Sequence, residues 1–404
     1  MKPVKQSKTM DIQAINDLAK RHFDNKDFQA ALDVLSSVEL PVGLIPNLAK
    51  CYYYTKRAHK ALELVKPLQK THELWIDTAL YHNAIGEHRR SLEIYESLDQ
   101  SDPKVQFNKG WHLLREGKFQ EGFQSIQHGD KCRAWGHEYL YIENGTLNKR
   151  DRWAGEFTDH LLLILEGGLG DQIIFVRWAE YLKSRCNRLT ILCDKSLLRL
   201  LTNSGYDCAP LDAIRSVSYT KYCPAMSLPA IASMEHPKQG VHFPYIKSFV
   251  EPYVTKQMNS LAGSRKKIGV RFYGNKEFEH DQFRSPPRED MESLAEFGQL
   301  FSLQLEEDGG IPNCKHLIRD WQDTYSVFAN LDLLVTSCTS TAHLAGAMGI
   351  QAIVLVPFVP YLVWASDSLP WYGGNVTIVR QAKYNDWSSA MLQMKQLVAE
   401  ALRP

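Results

Sequence analysis

Three short stretches of this 404-residue chain combine residue types that could do chemistry together. The first is "EGGLGDQIIF", Glu166 to Phe175, which follows the apolar run Leu161–Leu165. Glycine costs roughly 0.5–1 kcal/mol wherever the chain would otherwise be regular. Gly167, Gly168 and Gly170 together therefore imply a tight turn, or something that approaches the backbone closely. Asp171 falls in the first turn of the helix expected next. A carboxylate there satisfies unpaired amides at the positive helix end. Held beside an open backbone, it could also take a proton from a sugar-accepting hydroxyl. The glycines do not follow GxGxxG, which disfavours a dinucleotide cofactor.

The second stretch is "TSCTSTAHLAGAMG", Thr336 to Gly349. Ser337, Thr339, Ser340 and Thr341 offer hydroxyls where a helix begins, and free amides at such a point make an anion site. Simple helix capping is the other account. His343 lies one turn in, and Ala345, Gly346 and Ala347 permit close packing of helix on sheet. The third stretch, "RFYGNKEFEHDQFRSPP", runs from Arg271 to Pro287. Its Arg271, Lys276 and Arg284 could neutralise a diphosphate, arginine being suited to bidentate contact. A merely solvated loop is the alternative.

The elements that must position these residues are readable as periodicity. Leu161–Leu165 and Leu189–Cys193 read as buried parallel strands, with a helix from Asp171 to about Ser184 between them. A second series of strands begins at Lys267–Phe272. It continues at Leu300–Gln304, Leu331–Thr336, Gln351–Val356 and Val376–Arg380, and a last helix covers about Asp386 to Leu402. Two doubly wound sheets, joined by a polar stretch near Glu251–Lys266, would face each other across a cleft. Ligands in such sheets sit outside the carboxyl ends of the strands, where the first two stretches fall.

Ahead of these sheets lies a repeat. "KDFQAALDVL", "RAHKALELV", "GEHRRSLEIY" and "GKFQEGFQSI" align on Leu32, Leu62, Leu92 and Phe123, spaced 30, 30 and 31 residues apart, each preceded by a second helical segment. Two amphipathic helices per unit at this period are the signature of a helical solenoid, here slightly shorter than a tetratricopeptide repeat. The expected division is residues 1–150 for the repeats, 151–256 and 257–383 for two Rossmann-like domains, and 384–404 for the closing helix.

Bulk properties narrow the class. A net charge of +1 provides no global field toward nucleic acid or acidic surfaces. The eight cysteines form no Cys-x-x-Cys pair, which argues against a zinc site and a disulfide framework. The N-terminal residues lack the apolar core of a signal peptide. The longest apolar run, Ala352–Ala365, contains Pro357 and Pro360 and is too short to span a bilayer. A reduced, cytoplasmic protein without a membrane span is the expectation.

"WAGE" (Trp153–Glu156), "LLLILEGGLGDQIIFVRW", "GNKEFEHDQFRSPP", "DTYSVFANLDLLVTS" and "SCTSTAHLAGAMG" together resemble bacterial and phage proteins that join tetratricopeptide repeats to a heptosyltransferase-like glycosyltransferase. The resemblance covers nearly the whole chain. It implies an α plus α/β architecture, a helical solenoid followed by the GT-B pair of Rossmann-like domains. The implied reaction is an inverting, metal-independent transfer of sugar from a nucleotide-diphosphate donor to a hydroxyl of a glycan, a protein or a phage-type modified DNA base. No cofactor is implied beyond the nucleotide sugar, and the repeats would present the macromolecular acceptor. The DNA acceptor draws no support from the net charge.

Within the resemblance Asp171 is the base. Gly168, Gly170, Arg271, Asn275, Arg284, Thr339, Ser340, Thr341 and His343 serve the donor and its phosphates, and Gln304 lies where the backbone meets the nucleotide base. The family carries Asp before the Thr of the hydroxyl turn, in contact with the donor sugar. Cys338 stands there in this chain, so a heptose donor is not implied. The rival expectation is a repeat scaffold whose transferase half is degenerate and non-catalytic.

Overall fold

Helices and parallel strands alternate through most of the chain, and the computed structural model describes residues 12–275, 281–305, 310–366 and 370–403. They fall into two compact units, Met1–Leu98 and Asp99–Pro404.

The first unit holds helices Ile12–Asp24, Phe28–Ser36, Ile45–Tyr54, Ala58–Val65, His72–Ala84 and His88–Ser97, packed as consecutive pairs. Each pair turns on a residue in left-handed backbone: Lys26 (φ 61°), Lys56 (φ 63°) and Gly86 (φ 89°). The next residue's N–H then closes on a carbonyl five positions back, Asp27 to His22, Arg57 to Tyr52 and Glu87 to His82, at 2.8–2.9 Å. This is the helix-terminating arrangement that glycine favours; lysine accepts the left-handed conformation in two of the three turns. Small residues on the packed faces, Ala31, Ala49, Ala58, Ala61 and Ala79, are wholly buried and let the helices approach.

A fourth pair, Pro103–Arg115 and Phe119–Ile126, turns in the same way on Gly117 (φ 79°), with Lys118 N–H donating to Leu113 O. It belongs to the second unit. Phe119, Phe123, Ile126 and Trp135 join the core that covers the first sheet, and Gln124 Nε2 donates to Ala230 O at 2.7 Å. The boundary between compact units thus lies some fifty residues before the change of sequence texture near residue 150.

Two parallel sheets form the rest of the second unit. The first contains β1 (Thr158–Ile164), β2 (Cys186–Cys193), β3 (Cys208–Pro210) and β4 (Lys221–Pro224) in the order β3-β2-β1-β4. The second contains β5 (Lys267–Arg271), β6 (Gln299–Ser302), β7 (Leu333–Ser337), β8 (Ala352–Val356) and β9 (Val376–Arg380) in the order β6-β5-β7-β8-β9. Every pairing is parallel. β7 and β8 are buried at all five positions, which explains their unbroken apolar runs.

Some expected elements differ. The helix expected from Asp171 to Ser184 starts at Leu169, relaxes into a 3₁₀ turn at Val176–Trp178 and resumes at Ala179–Lys183. The stretch near Glu251–Lys266 is no polar linker but contains a helix, Pro252–Ala262, that buries Val254, Met258 and Ala262. The two halves are buckled together. Arg199, on helix Lys195–Asn203, bonds Asp320 and Asp323 of the second half at 2.5–2.8 Å. Arg177, 1% exposed, donates to Trp371 O at 2.7 Å. No helix among the described residues is long and apolar enough to cross a membrane.

Candidate active site

The loop after β1 turns on Gly167 (φ 75°) and caps helix Leu169–Phe175 with Gly168. Asp171 closes the cap, its Oδ2 accepting from Gly168 N–H at 3.0 Å. A side chain at Gly167 would place its Cβ 2.8 Å from Asp171 Oδ2 and 3.1 Å from Met226 Sδ. Gly167 therefore makes room for the aspartate itself. Gly170 faces the second sheet's site, where a Cβ would stand 3.2 Å from His343 Cδ2 and 3.6 Å from Ser340 Cα. Of the three glycines only Gly168 is exposed. The expectation that these glycines clear space for a ligand gives way to close packing, at 167 around Asp171 and at 170 against helix Ser340–Met348.

The other oxygen of Asp171 is engaged from across the two halves. Tyr361, in the loop after β8, donates its hydroxyl to Asp171 Oδ1 at 2.7 Å. Burial pushes the Asp171 carboxyl above its ordinary value, and the Tyr361 hydroxyl and Gly168 N–H offset part of that rise. Tyr361 in turn packs its ring on Trp111, from helix Pro103–Arg115, with centroids 5.4 Å apart. Neither aromatic residue was marked by any local sequence signal.

Glu166, beside the glycine loop, is the second carboxylate of the region. It is 4% exposed; its Oε1 accepts from His137 N–H at 2.6 Å, and Oε2 has no hydrogen-bond partner. Burial raises its pKa to about 7. Gly167 N–H donates to His137 Nδ1 at 3.3 Å, so His137 is tied to two consecutive residues at the start of the turn.

The hydroxyl turn follows β7. Thr339 occupies the N-cap without a side-chain cap bond. Its Oγ1 lies 2.7 Å from Thr341 Oγ1, which is 2.8 Å from Thr336 Oγ1, so the hydroxyls form a buried chain among themselves. Ser337 Oγ is buried without a partner. Ser340 is half-buried, and the first N–H groups of its helix have no carbonyl within the helix to bond. His343 is 4% exposed and stacks on Trp364 at 5.0 Å, with Nδ1 2.8 Å from the Tyr372 hydroxyl. Burial, with Arg177 and Arg284 nearby, lowers its pKa to about 3, which keeps the imidazole neutral.

The basic loop divides. Arg284 Nε donates to Asp281 Oδ1 at 2.8 Å and Nη1 reaches Cys338 O at 3.4 Å, which sets its guanidinium over the end of β7. Gly274 is required there, since its Cβ would meet Arg284 Nη2 at 2.3 Å. Arg271 instead donates to the Leu303 carbonyl at 2.8 Å and the Tyr273 carbonyl at 3.2 Å. Asn275 is exposed, and Lys276 lies outside the described residues. Gln304, two residues past β6, is fully buried; its Oε1 accepts from Phe272 N–H at 2.9 Å while Nε2 has no partner. Cys338 is 5% exposed, and burial pushes its thiol up to about 11. Among the described residues, no group of three His, Cys, Asp or Glu side chains is disposed to hold a metal ion.

No family model matches the chain, and no curated protein matches it. Solved structures do. One is the E. coli ADP-heptose lipopolysaccharide heptosyltransferase II, 10% identical at a TM-score of 0.41, over 60% of this chain and 99% of that one. A glycosyl transferase family 9 protein from Veillonella parvula is 10% identical at a TM-score of 0.43, over 60% and 96%. The iron-containing dodecameric glycosyltransferase TibC from enterotoxigenic E. coli is 11% identical at 0.42, over 58% and 66%.

Proposed function

We propose that this chain is an inverting, metal-independent glycosyltransferase of the GT-B kind. It would move a sugar from a nucleotide-diphosphate donor to a hydroxyl of a macromolecular acceptor. One observation carries the reading: a carboxylate of raised proton affinity, Asp171, follows directly on Gly170, which packs against the helix start whose hydroxyls and amides suit an anion.

In this mechanism Asp171 takes the proton of the acceptor hydroxyl. That oxygen bonds to the anomeric carbon as the bond from the same carbon to the donor diphosphate breaks on the opposite face. The electron pair leaves with the nucleoside diphosphate. Charge gathering there meets the amides of Ser340 and Thr341 and the Arg284 guanidinium, fixed donors that need no reorganisation. Gln304, with its unpartnered Nε2 beside the strand ends, would meet the nucleotide base. His343, neutral and stacked, positions the helix rather than exchanging protons.

The test is a melting-temperature panel of uridine, guanosine, adenosine and cytidine diphosphates and their sugars, followed by transfer assays on Asp171→Asn. A ligand at about 100 times its Kd adds about 2.7 kcal/mol, a shift of a degree or more for a protein of this size. Asn can still accept from Gly168 N–H and offer its amide to Tyr361, so the variant should fold and bind donor while losing about 10²–10⁴-fold in transfer. Unchanged transfer would remove Asp171 from the mechanism. No shift with any nucleotide would favour the non-catalytic scaffold, with Cys338 the residue to revert.

A further inference from the structure

The fourth helical pair and the turn that leaves β4 together line a hollow of about 250 Å³ that the mechanism above does not use. Gln124, Gln127 and Asp130 line it from the pair, Ser227 from the turn, and Glu138 and Arg152 from the segment between. The first three recur at intervals of three through the end of helix Phe119–Ile126 and the 3₁₀ turn Gln127–Gly129, where side chains three apart eclipse. Each glutamine is anchored so that its amide oxygen is left over. Gln124 Nε2 donates to Ala230 O at 2.7 Å, and Gln127 Nε2 donates to Met226 O at 3.3 Å. With both nitrogens fixed on carbonyls, each Oε1 keeps its acceptor capacity. Asp130 Oδ1 is buried and has no hydrogen-bond partner. Ser227 is 8% exposed; its hydroxyl does not cap the helix Leu228–Ile231 that follows, and no described residue bonds it.

Glu138, by contrast, is satisfied. Arg152 Nε donates to both its oxygens at 2.9–3.0 Å, and Tyr222 donates its hydroxyl to Oε1 at 2.8 Å. With that ion pair closed, the formal charge of the lining is that of Asp130 alone. A buried polar atom left without a partner costs about 1–3 kcal/mol and is rare in native proteins. The lining therefore suits a ligand that brings several O–H donors and no negative charge. Its volume is several times the about 30 Å³ share of one water and just below the about 300 Å³ at which drug-sized pockets begin, room for a single ring. The hollow also adjoins the candidate base. Met226 precedes Ser227, and its sulfur lies 3.1 Å from where a Cβ at Gly167 would stand, next to Asp171. It is past the carboxyl end of β4, on the side where doubly wound sheets bind their ligands. Gln124 further lines a second, more open hollow of about 420 Å³ with Lys109 and Gln120, where the next unit of a chain could lie.

We propose that the smaller hollow is a saccharide subsite for one neutral sugar ring, whose hydroxyls donate to Gln124 Oε1, Gln127 Oε1 and Asp130. Assigning that ring to the acceptor rests on the glycosyltransferase reading; the sugar site itself does not.

The experiment uses the full chain and, as probes, the methyl glycosides of glucose, galactose, mannose and N-acetylglucosamine, methyl glucuronide, calcium chloride and a DNA duplex. Calorimetric affinities are compared for the parent, Asp130→Asn and Ser227→Ala. At least one neutral glycoside should bind. Its affinity should fall about tenfold or more in Asp130→Asn, which loses a hydrogen bond to a charged acceptor, and about fivefold in Ser227→Ala, which loses a neutral one. Methyl glucuronide should bind more weakly than methyl glucoside, and the melting shifts with donor nucleotides should be the same in all three proteins. Both substitutions are small and leave the anchors of Gln124 and Gln127 in place; circular dichroism checks each fold, and either variant alone carries the test. No binding of any neutral glycoside, equal affinity across the three proteins, or glucuronide bound as tightly as glucoside would overturn the proposal. So would calcium or the duplex as the only Asp130-dependent ligand. Saturating donor should leave glycoside affinity intact; mutual exclusion would give the ring to the donor and overturn the acceptor assignment. If no nucleotide binds while glycoside binding persists, the sugar site stands and the glycosyltransferase reading falls. If nucleotides bind and no glycoside does, the reverse holds.

Discussion

Tyr361→Phe isolates the one contact that joins the candidate base to the opposite half. The substitution removes a 2.7 Å hydrogen bond to Asp171 Oδ1 and leaves the ring against Trp111. Burial already raises the Asp171 carboxyl, and the Tyr361 hydroxyl is the largest influence pulling it back. A hydrogen bond to a charged group is worth about 1.5–3 kcal/mol, and about 1.36 kcal/mol moves a pKa by one. Donation by Tyr361 favours the carboxylate, so its loss favours the acid. The acidic limb of the kcat/KM profile for transfer should therefore move to higher pH by about one to two pH units. Above the new limb the variant should keep much of the parent's turnover, since the base is still present. A limb at the parent's pH, or a uniform loss at every pH, would refute the account of Tyr361 as the group that sets Asp171's proton affinity.

Glu166→Gln tests the buried neighbour by stability instead. The folded pKa of about 7 lies above the ordinary 4.5, so Glu166's favourable contribution is complete below 4.5 and is lost as pH rises through 7. The Gln variant should match the parent at pH 4 and exceed it by up to about 3 kcal/mol at pH 8, read by denaturant melts at both pH values. In helix Ser340–Met348, Gly346→Ala would set a Cβ 2.3 Å from Tyr372 Cδ1. Overpacking of about 1–3 kcal/mol should appear as a lowered melting temperature, with weaker nucleotide binding as the Tyr372–His343 pair is displaced.

Most strands that were legible in the sequence are buried along most of their length. β1, β2, β5, β6, β7 and β8 announce themselves as short apolar runs for that reason, whereas β9, partly exposed, shows through its β-branched residues. β3 and β4, three and four residues long and each ending in proline, carry too little pattern to stand out. The turn holding Asp171 and the one holding Thr339–His343 were legible because glycine and hydroxyl clusters have local backbone causes. The sequence also suggested an open backbone at Gly167 and Gly170, whereas the space there is filled by Asp171, Met226, Ser340 and His343. Tyr361 on Asp171 and the bond from His137 to the buried Glu166 depend on segments from about 30 to 190 residues apart. No local periodicity encodes such meetings; only the packed fold brings them together.

The fourth helical pair makes the repeats asymmetric. It keeps the shared turn geometry at Gly117, yet Phe119, Phe123 and Ile126 are mortared into the second unit's core, and Trp111 reaches a residue bonded to the candidate base. The three pairs before Leu98 form a compact body of their own. The inner face of the fourth pair is instead part of the second unit's core, so a substitution there is felt by the sheets it packs against.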